Sequence, residues 1–384
     1  MVPVQDFPVL LAVDGNSLVH RSFHAQAGTG LRSADGRPLW AIRGLLTQLV
    51  AAAERICPAA IVVGFDDPAA SSRRDRWPQY KAGRTEKLHT LVSQLHSAAD
   101  VLRTMGVAVV VPPGLEADDV LASAARFAPQ VGARTVIMTS DRDSFALIDE
   151  HTRVLRIING GVDASPLLTP DLLVTMLGIR PEQYCDYAAL RGDPSDNLPG
   201  VRGIGPKTAA KLLSTLGSAA AVFDDLAAGG SQVIAAVGGA AAKRLAQPEA
   251  RAAWELNCQV MRMHSDVELG VTVGGGGPGM LPLDPAAVAA AFQAHELTWT
   301  TPAALQFLAY QDPPERPVEH AWSSATAGFS HPAGSPRRPV GSVAPSAGPA
   351  RAAEHGRPAG RRFGRLAKHP AQPQNVAVQL TLFD

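Results

Sequence analysis

Cysteine is scarce: the 384 residues hold three, Cys57, Cys185 and Cys258, an odd number with no CxxC spacing. That count argues against a disulfide framework and against a zinc site. Long apolar runs are missing too. None approaches the length that crosses a bilayer, so no membrane association is expected. The opening, MVPVQDFPVL, has no basic segment followed by a long apolar one, so a secretory leader is not expected. A reduced, cytoplasmic setting is the expectation that follows. What is present is 46% hydrophobic residues, ample for a buried core over most of a chain long enough for two or three domains.

Net charge is absent as well, with 35 Lys+Arg against 35 Asp+Glu, but the balance is uneven along the chain. Residues 1–310 hold 26 basic and 30 acidic side chains, whereas residues 311–384 hold 9 and 5. The later stretch is dominated by Pro, Gly, Ala and Ser, as in HPAGSPRRPVGSVAPSAGPARAAEHGRPAGRR. It has too few large apolar residues to offset its ordering entropy, so residues 311–375 read as a disordered linker. The folded part is expected to end near Tyr310.

Four short runs have strand character: PVLLAV (8–13), AAIVVGF (59–65), VAVVV (107–111) and TVIMT (135–139). They are apolar throughout and separated by helix-like segments, such as Thr85–Arg103 and Ala117–Phe127. Alternation of this kind indicates an α/β layer with a mostly parallel sheet over residues 1–165. From about residue 166 to 310 the pattern becomes helices broken by Gly and Pro, a second, helical lobe.

Each apolar run leads into acid. Asp14 follows the first and Asp66 the second; Asp141 and Asp143 follow the fourth. The third passes through a Pro-Pro-Gly turn into Glu116, Asp118 and Asp119. In a parallel sheet the carboxyl ends of the strands share one rim, so chain order places these carboxylates on the same edge. Helix capping is the plain alternative for any one of them. It does not cover three acids in four residues, because a cap needs one. Two carboxylates about 4 Å apart repel by roughly 4 kcal/mol at an effective dielectric of about 20, a large share of the roughly 5–15 kcal/mol that keeps a domain folded. Converging acids must therefore be protonated, separated or neutralised. Oxygen-only ligands favour hard divalent ions, Mg²⁺ or Mn²⁺.

Further on, LRGDPSDNLPGVRGIGPKTAAKLL (190–213) places Asp193 and Asp196 in a Gly/Pro/Ser/Asn turn. Gly203 and Gly205 then form a tight turn, Pro206 suits a first helical position, and Lys207 and Lys211 lie one helical turn apart. Bare backbone N–H groups backed by lysine charge suit a phosphate, and a nucleic-acid backbone is the natural source. Between the second strand and the Thr85 helix, SSRRDRWPQYKAGR (71–84) interleaves Arg73, Arg74, Arg76, Lys81 and Arg84 with Trp77 and Tyr80. A solvated face is the default for such a run. Beside a carboxylate site, its cations could instead hold a scissile phosphate and its rings could stack on an unpaired base.

These residues resemble the 5′-nuclease superfamily, and most nearly the 5′→3′ exonuclease (flap endonuclease) domain of bacterial DNA polymerase I, in its free-standing form. The matching motifs are LLAVDGNSLVHRSFHA, the Arg73…Tyr80-Lys81-x-x-Arg84 segment, GLEADDVLA, TSDRDSFALI and GDPSDNLPGVRGIGPKTAAKLL, in family order across about residues 8–300. The resemblance implies a PIN-like α/β core, a helical arch around residues 70–95, and a helix–three-turn–helix around 193–213 that grips duplex DNA. It implies a first metal group of Asp14, Asp66, Glu116, Asp118 and Asp141. A second would comprise Asp143, Asp193 and Asp196, with Asp119 adjacent to both. Lys81 and Arg84 match residues that contact the scissile phosphate. Arg73, Tyr80, Gly203, Gly205, Lys207 and Lys211 are expected to bind DNA, and the helix–three-turn–helix of the family also holds a potassium ion. His20 stands where many relatives have Tyr. The implied activity is two-metal hydrolysis of DNA at 5′ flaps, nicks and 5′ ends, in replication or repair. A PIN-type ribonuclease and a DNA-binding module without catalysis are the other readings of the same residues. Within the last segment, residues 376–384, Gln379, Leu380, Leu382 and Phe383 resemble the bacterial sliding-clamp-binding pentapeptide, which would make the clamp a partner.

Overall fold

The computed structural model describes residues 7–309 apart from Trp299. The four apolar runs form strands β1 (Val9–Asp14), β2 (Ala60–Gly64), β3 (Ala108–Val110) and β4 (Arg134–Thr139). Two more complete the sheet, β5 (Thr152–Arg156) and β6 (Leu167–Leu168), in the order β3-β2-β1-β4-β5-β6. The first five are parallel and β6 is antiparallel. β5 lay outside the expected strands because Arg153 and Arg156 interrupt its apolar pattern, TRVLR. The sheet selects it through pairing with β4, which a local pattern does not report.

Alternation along β1 explains the layers. Leu11 and Val13 point into one core with α1 (Gly15–Gln26), α2 (Trp40–Ile56) and the helix His89–Thr104. Leu10 and Ala12 point into the other, with Ala117–Gln130 and the later helices. Between β2 and β3 lie α3 (Ser72–Arg76) and α4 (His89–Thr104). α4 starts four residues after the expected Thr85, because Leu88 is extended (φ −56°, ψ 137°) and 61% exposed. The arch segment is thus a short helix, a turn and an extended stretch. It is not one continuous helix. α5 (Ala117–Gln130) follows β3.

The helical lobe comprises α6 (Pro170–Leu177), α7 (Tyr184–Arg191), α8 (Pro206–Leu216), α9 (Ala219–Ala227), α10 (Ser231–Val237), α11 (Gly239–Leu245) and α12 (Pro248–Met261). The sheet runs past the expected boundary at residue 165 to β6, and the hydrophobic core continues into the helices: Val120 and Ile137 share a cluster with Leu190, Leu212 and Val233. The chain then returns to the sheet. Gly279 accepts from Ile61 N at 2.8 Å, and α13 (Pro285–Ala294) places Val288 and Phe292 in the first core. Among the described residues no single helix is long and apolar enough to cross a membrane. The linker 311–375 and the peptide residues Gln379, Leu380, Leu382 and Phe383 lie outside the described residues.

Candidate active site

Parallel pairing brings the carboxyl ends of β1, β2 and β4 to one edge; β1 ends at Asp14, and Asp66 and Asp141 follow β2 and β4 by two residues each. Asp14 is 4% exposed; its side chain caps α1 by accepting from Ser17 N at 2.8 Å and takes a second bond from Thr139 Oγ1 at 2.8 Å. Capping and site membership are therefore not exclusive. Asp66 accepts from Asn16 Nδ2 and, at 3.1 Å, from Ala117 N at the start of α5. Asn16, two residues after Asp14, was not anticipated as a site residue, although it lies inside the first motif. Asp141 accepts from Asp143 N at 3.1 Å and is exposed on the rim. Asp193 and Asp196 arrive from the loop after α7, held by a close backbone crossing. Gly192 has φ +81°, and a Cβ on it would lie 2.2 Å from Gly200 N.

These acids lie near enough to act on one another's charge. Burial pushes the Asp14 carboxyl up to about 7, and Asp66 and Asp141 add to it. Burial also raises Asp143 to about 8, reinforced by Asp141, Asp193 and Asp196. Asp118 is held well above the ordinary carboxylate range by burial and then by Asp141, Asp14 and Asp143. Asp118 thus feels acids of both expected groups. The repulsion anticipated from the sequence is present.

The basic segment folds down on this pocket. Lys81 Nζ lies 2.9 Å from Glu116 Oε1, and Arg84 pairs with Asp196. Lys81 N donates to Asp196 O at 2.9 Å, and Asn197 Nδ2 donates to Gln79 O at 2.8 Å. Lys81 itself sits at φ +58°, a left-handed conformation that costs a non-glycine residue about 1 kcal/mol or more. Among the described residues, no three acidic, His or Cys side chains are arranged to hold one ion as they stand. Two of the acids, Glu116 and Asp196, are turned toward the chain's own cations. The donor set nonetheless fits divalent ions: it is all oxygen, and its charge is in excess of the lysine and arginine that meet it.

Three expected residues take other places. Arg73, expected on DNA, is 6% exposed and clamps Asp119 at 2.7 and 2.8 Å while donating to the carbonyls of Val260 and Arg262. Asp119, expected near both metals, is fully buried and also accepts from Glu116 N (2.9 Å) and His264 N (2.8 Å). Its oxygens are committed to the fold. Tyr80 is 6% exposed and donates to Glu116 Oε2 at 3.0 Å, so its ring is not available to stack on a base. His20 is half-buried, and burial beside Lys87, His24 and Arg84 lowers it to about 4, so it is neutral near pH 7.

The lysine cradle stands apart from the acids. α8 begins at Gly205 with Pro206 as its first residue and no side-chain cap, and no atom lies within 4 Å of a Cβ built on Gly205. Its first N–H groups therefore have no side-chain cap. Gly203 makes the preceding turn at φ +76°, and Lys207 and Lys211 are both exposed.

Two family models match the chain, the 5′-3′ exonuclease N-terminal resolvase-like domain over residues 9–172 and the 5′-3′ exonuclease C-terminal SAM fold over residues 179–275. The chain belongs to the 5′-3′ exonuclease family. It is 37% identical over 219 residues to DNA polymerase I of Mycobacterium bovis, covering 57% of this chain and 24% of that one. Against the thermostable DNA polymerase I of Thermus aquaticus it is 41% identical over 217 residues, 56% of this chain and 25% of the relative. The chain thus spans about a quarter of the length of the curated relatives it matches. In fold it is similar to bacteriophage T5 5′-exonuclease with bound zinc, with TM-score 0.54 and 18% identity over 77% of this chain and 98% of that one. A complex of T5 flap endonuclease with DNA and metal ions gives TM-score 0.52 and 18% identity, over 78% and 99% of the two chains. The α/β core with its helical lobe is therefore the fold of this exonuclease family.

Proposed function

We propose that this chain hydrolyses DNA as a structure-specific 5′→3′ exonuclease and flap endonuclease, serving replication or repair, with two divalent ions, Mg²⁺ or Mn²⁺. The observation that carries the reading is the acidic pocket in which Asp14, Asp118 and Asp143 are all raised by burial and by one another's neighbours. Asp14, Asp66, Glu116, Asp118 and Asp141 would hold one ion, and Asp143, Asp193 and Asp196 the other. Such a pair supplies the charge that acidifies a water and stabilises the leaving oxygen of an in-line displacement. Asp119 is left out of this set, because Arg73 already occupies it.

The remaining steps fall to the chain's own groups. Lys81 and Arg84, once released from Glu116 and Asp196, lie at the pocket's edge to meet the scissile phosphate and the charge that develops on it. For Lys81→Ala, single-turnover cleavage should fall by about 10²–10³-fold, the scale of losing one electrostatic stabiliser, with a small change in affinity. An unchanged rate would remove Lys81 from the mechanism. The start of α8 with Lys207 and Lys211 would take backbone phosphates of the duplex, so recognition would follow shape and strand ends more than base sequence. Double replacement of Lys207 and Lys211 by Ala should weaken binding to all duplex sequences alike. It should also make the slope of log affinity against log salt shallower by about 0.9 for each phosphate no longer neutralised. A potassium ion at this turn belongs to the same proposal.

The C-terminal residues Gln379, Leu380, Leu382 and Phe383 would dock on the sliding clamp through two apolar side chains and one amide. Removal of residues 379–384 should end clamp capture in a pull-down while leaving cleavage intact; undiminished capture would discard this partner. The reading as a whole is tested with 5′-labelled flap, nicked and single-stranded DNA, run beside RNA, in Mg²⁺ or EDTA. Cleavage of flaps and nicks only with the metal is expected. Preference for RNA would replace the reading with a ribonuclease.

A further inference from the structure

Three isolated cysteines in sequence become one and a pair in space. Cys185, the second residue of α7, and Cys258, near the end of α12, both line a cavity of about 610 Å³ together with Asp143, Tyr184, Trp254 and Met261. Each thiol acts on the other's proton affinity, and Cys258 Sγ lies 3.9 Å from Oδ1 of Asp186, the residue next to Cys185. The two helices are locked in register around them. Asn257 Nδ2 donates to the carbonyls of Ala189 and Pro199 at 3.0 Å each, and Trp254 Nε1 donates to Asp186 at 2.9 Å. Both cysteines are half-buried, so the cavity gives a small reagent a path to them. Cys57, at the end of α2, lines no part of it.

We propose that Cys185 and Cys258 are a reversible oxidation site, closing to a disulfide that ties α12 to α7 beside the acidic pocket. With hydrogen peroxide as oxidant, the Cys185 thiolate attacks one peroxide oxygen, the O–O bond breaks, and hydroxide takes up a proton and leaves as water. The resulting sulfenic acid is attacked by the Cys258 sulfur. The S–O bond breaks, hydroxide takes the Cys258 proton, and a second water departs. Two thiols are thus oxidised by two electrons and one peroxide is reduced to two waters. The S–H of Cys258 favours the thiolate of Cys185, which suits Cys185 to attack first.

Bond formation draws the two sulfurs to about 2.05 Å, so the end of α12 must shift relative to α7. Residues at and just beyond that end hold the site's scaffold: the carbonyls of Val260 and Arg262 bind Arg73, and His264 N binds Asp119. Oxidation should therefore slow cleavage, a consequence that rests on the nuclease reading, whereas the disulfide itself does not.

The full chain treated with hydrogen peroxide, alkylated with iodoacetamide and digested should yield one linked peptide pair, Cys185 with Cys258. Dithiothreitol should remove the link, Cys185→Ser should lack it, and Cys57→Ser should keep it. Free alkylation of both thiols after peroxide, or linkage through Cys57, would overturn the proposal. In parallel, the oxidised protein should lose 5′-flap cleavage in Mg²⁺ and regain it with dithiothreitol, and Cys258→Ser should keep its rate under peroxide. A mapped link with undiminished cleavage would overturn the coupling to the site. A reduced protein without any cleavage would instead count against the nuclease reading, leaving the link to stand by mapping alone.

Discussion

Asp118→Asn should lower DNA cleavage by at least about 10³-fold, the upper scale for removing one electrostatic group, and should at the same time make the metal-free protein more stable. Both effects have one cause. Asp118 is pushed up by burial and by Asp141, Asp14 and Asp143, so its charge is costly without a cation and useful with one. Relief of about 1 kcal/mol would raise the melting temperature in EDTA by about 2–4 °C for a domain of this size. The pH dependence fixes the sign. Asp14 titrates at about 7 and Asp143 at about 8, against 3.8 for an ordinary Asp. Between those values the folded state holds protons that the unfolded chain has released, so wild-type stability falls as pH rises from about 4 to about 8. Saturating Mg²⁺ should flatten that fall. Paired thermal melts and cleavage assays check both parts. Equal melting of variant and wild type across this range would show that the acids do not repel.

The second large effect belongs to Arg73. Its guanidinium is buried against Asp119 and Glu116, and Arg73→Ala would leave a fully buried carboxylate without its counter-charge. Breaking such a pair from one side costs about 3–5 kcal/mol, which at about 2–4 °C per kcal/mol is a loss of ~10 °C in melting temperature. Affinity for flap DNA, measured well below the melt, should hardly change. A variant that melts like the wild type but binds DNA poorly would restore Arg73 to the DNA surface.

That contrast marks where the sequence was legible and where it was not. Acids at the ends of β1, β2 and β4 could be placed on one edge from chain order alone, because parallel strands leave only one edge for them. The Gly203–Lys211 cradle was legible for a similar reason, since a tight turn, a first-position proline and i,i+4 lysines are all local. Arg73 and Tyr80 turn inward instead of toward DNA, and a charge run does not say which member does so. Arg73 is drawn in by Asp119, 46 residues away, and by carbonyls 187 and 189 residues away. The same limit hid the Cys185–Cys258 pair, whose spacing in sequence carries no signal. Asp14 teaches a different lesson, since one carboxylate both caps α1 and joins the pocket.

Acids from distant parts of the chain come near one another, and paired divalent ions would make their meeting tolerable. Anomalous diffraction from crystals grown with Mn²⁺ tests it most directly. Two peaks about 4 Å apart are expected, one among Asp14, Asp118 and Asp141 and one among Asp143, Asp193 and Asp196, with Lys81 and Arg84 withdrawn from Glu116 and Asp196. Full Mn²⁺ occupancy elsewhere on the chain, with these carboxylates still held by Lys81 and Arg84, would contradict it.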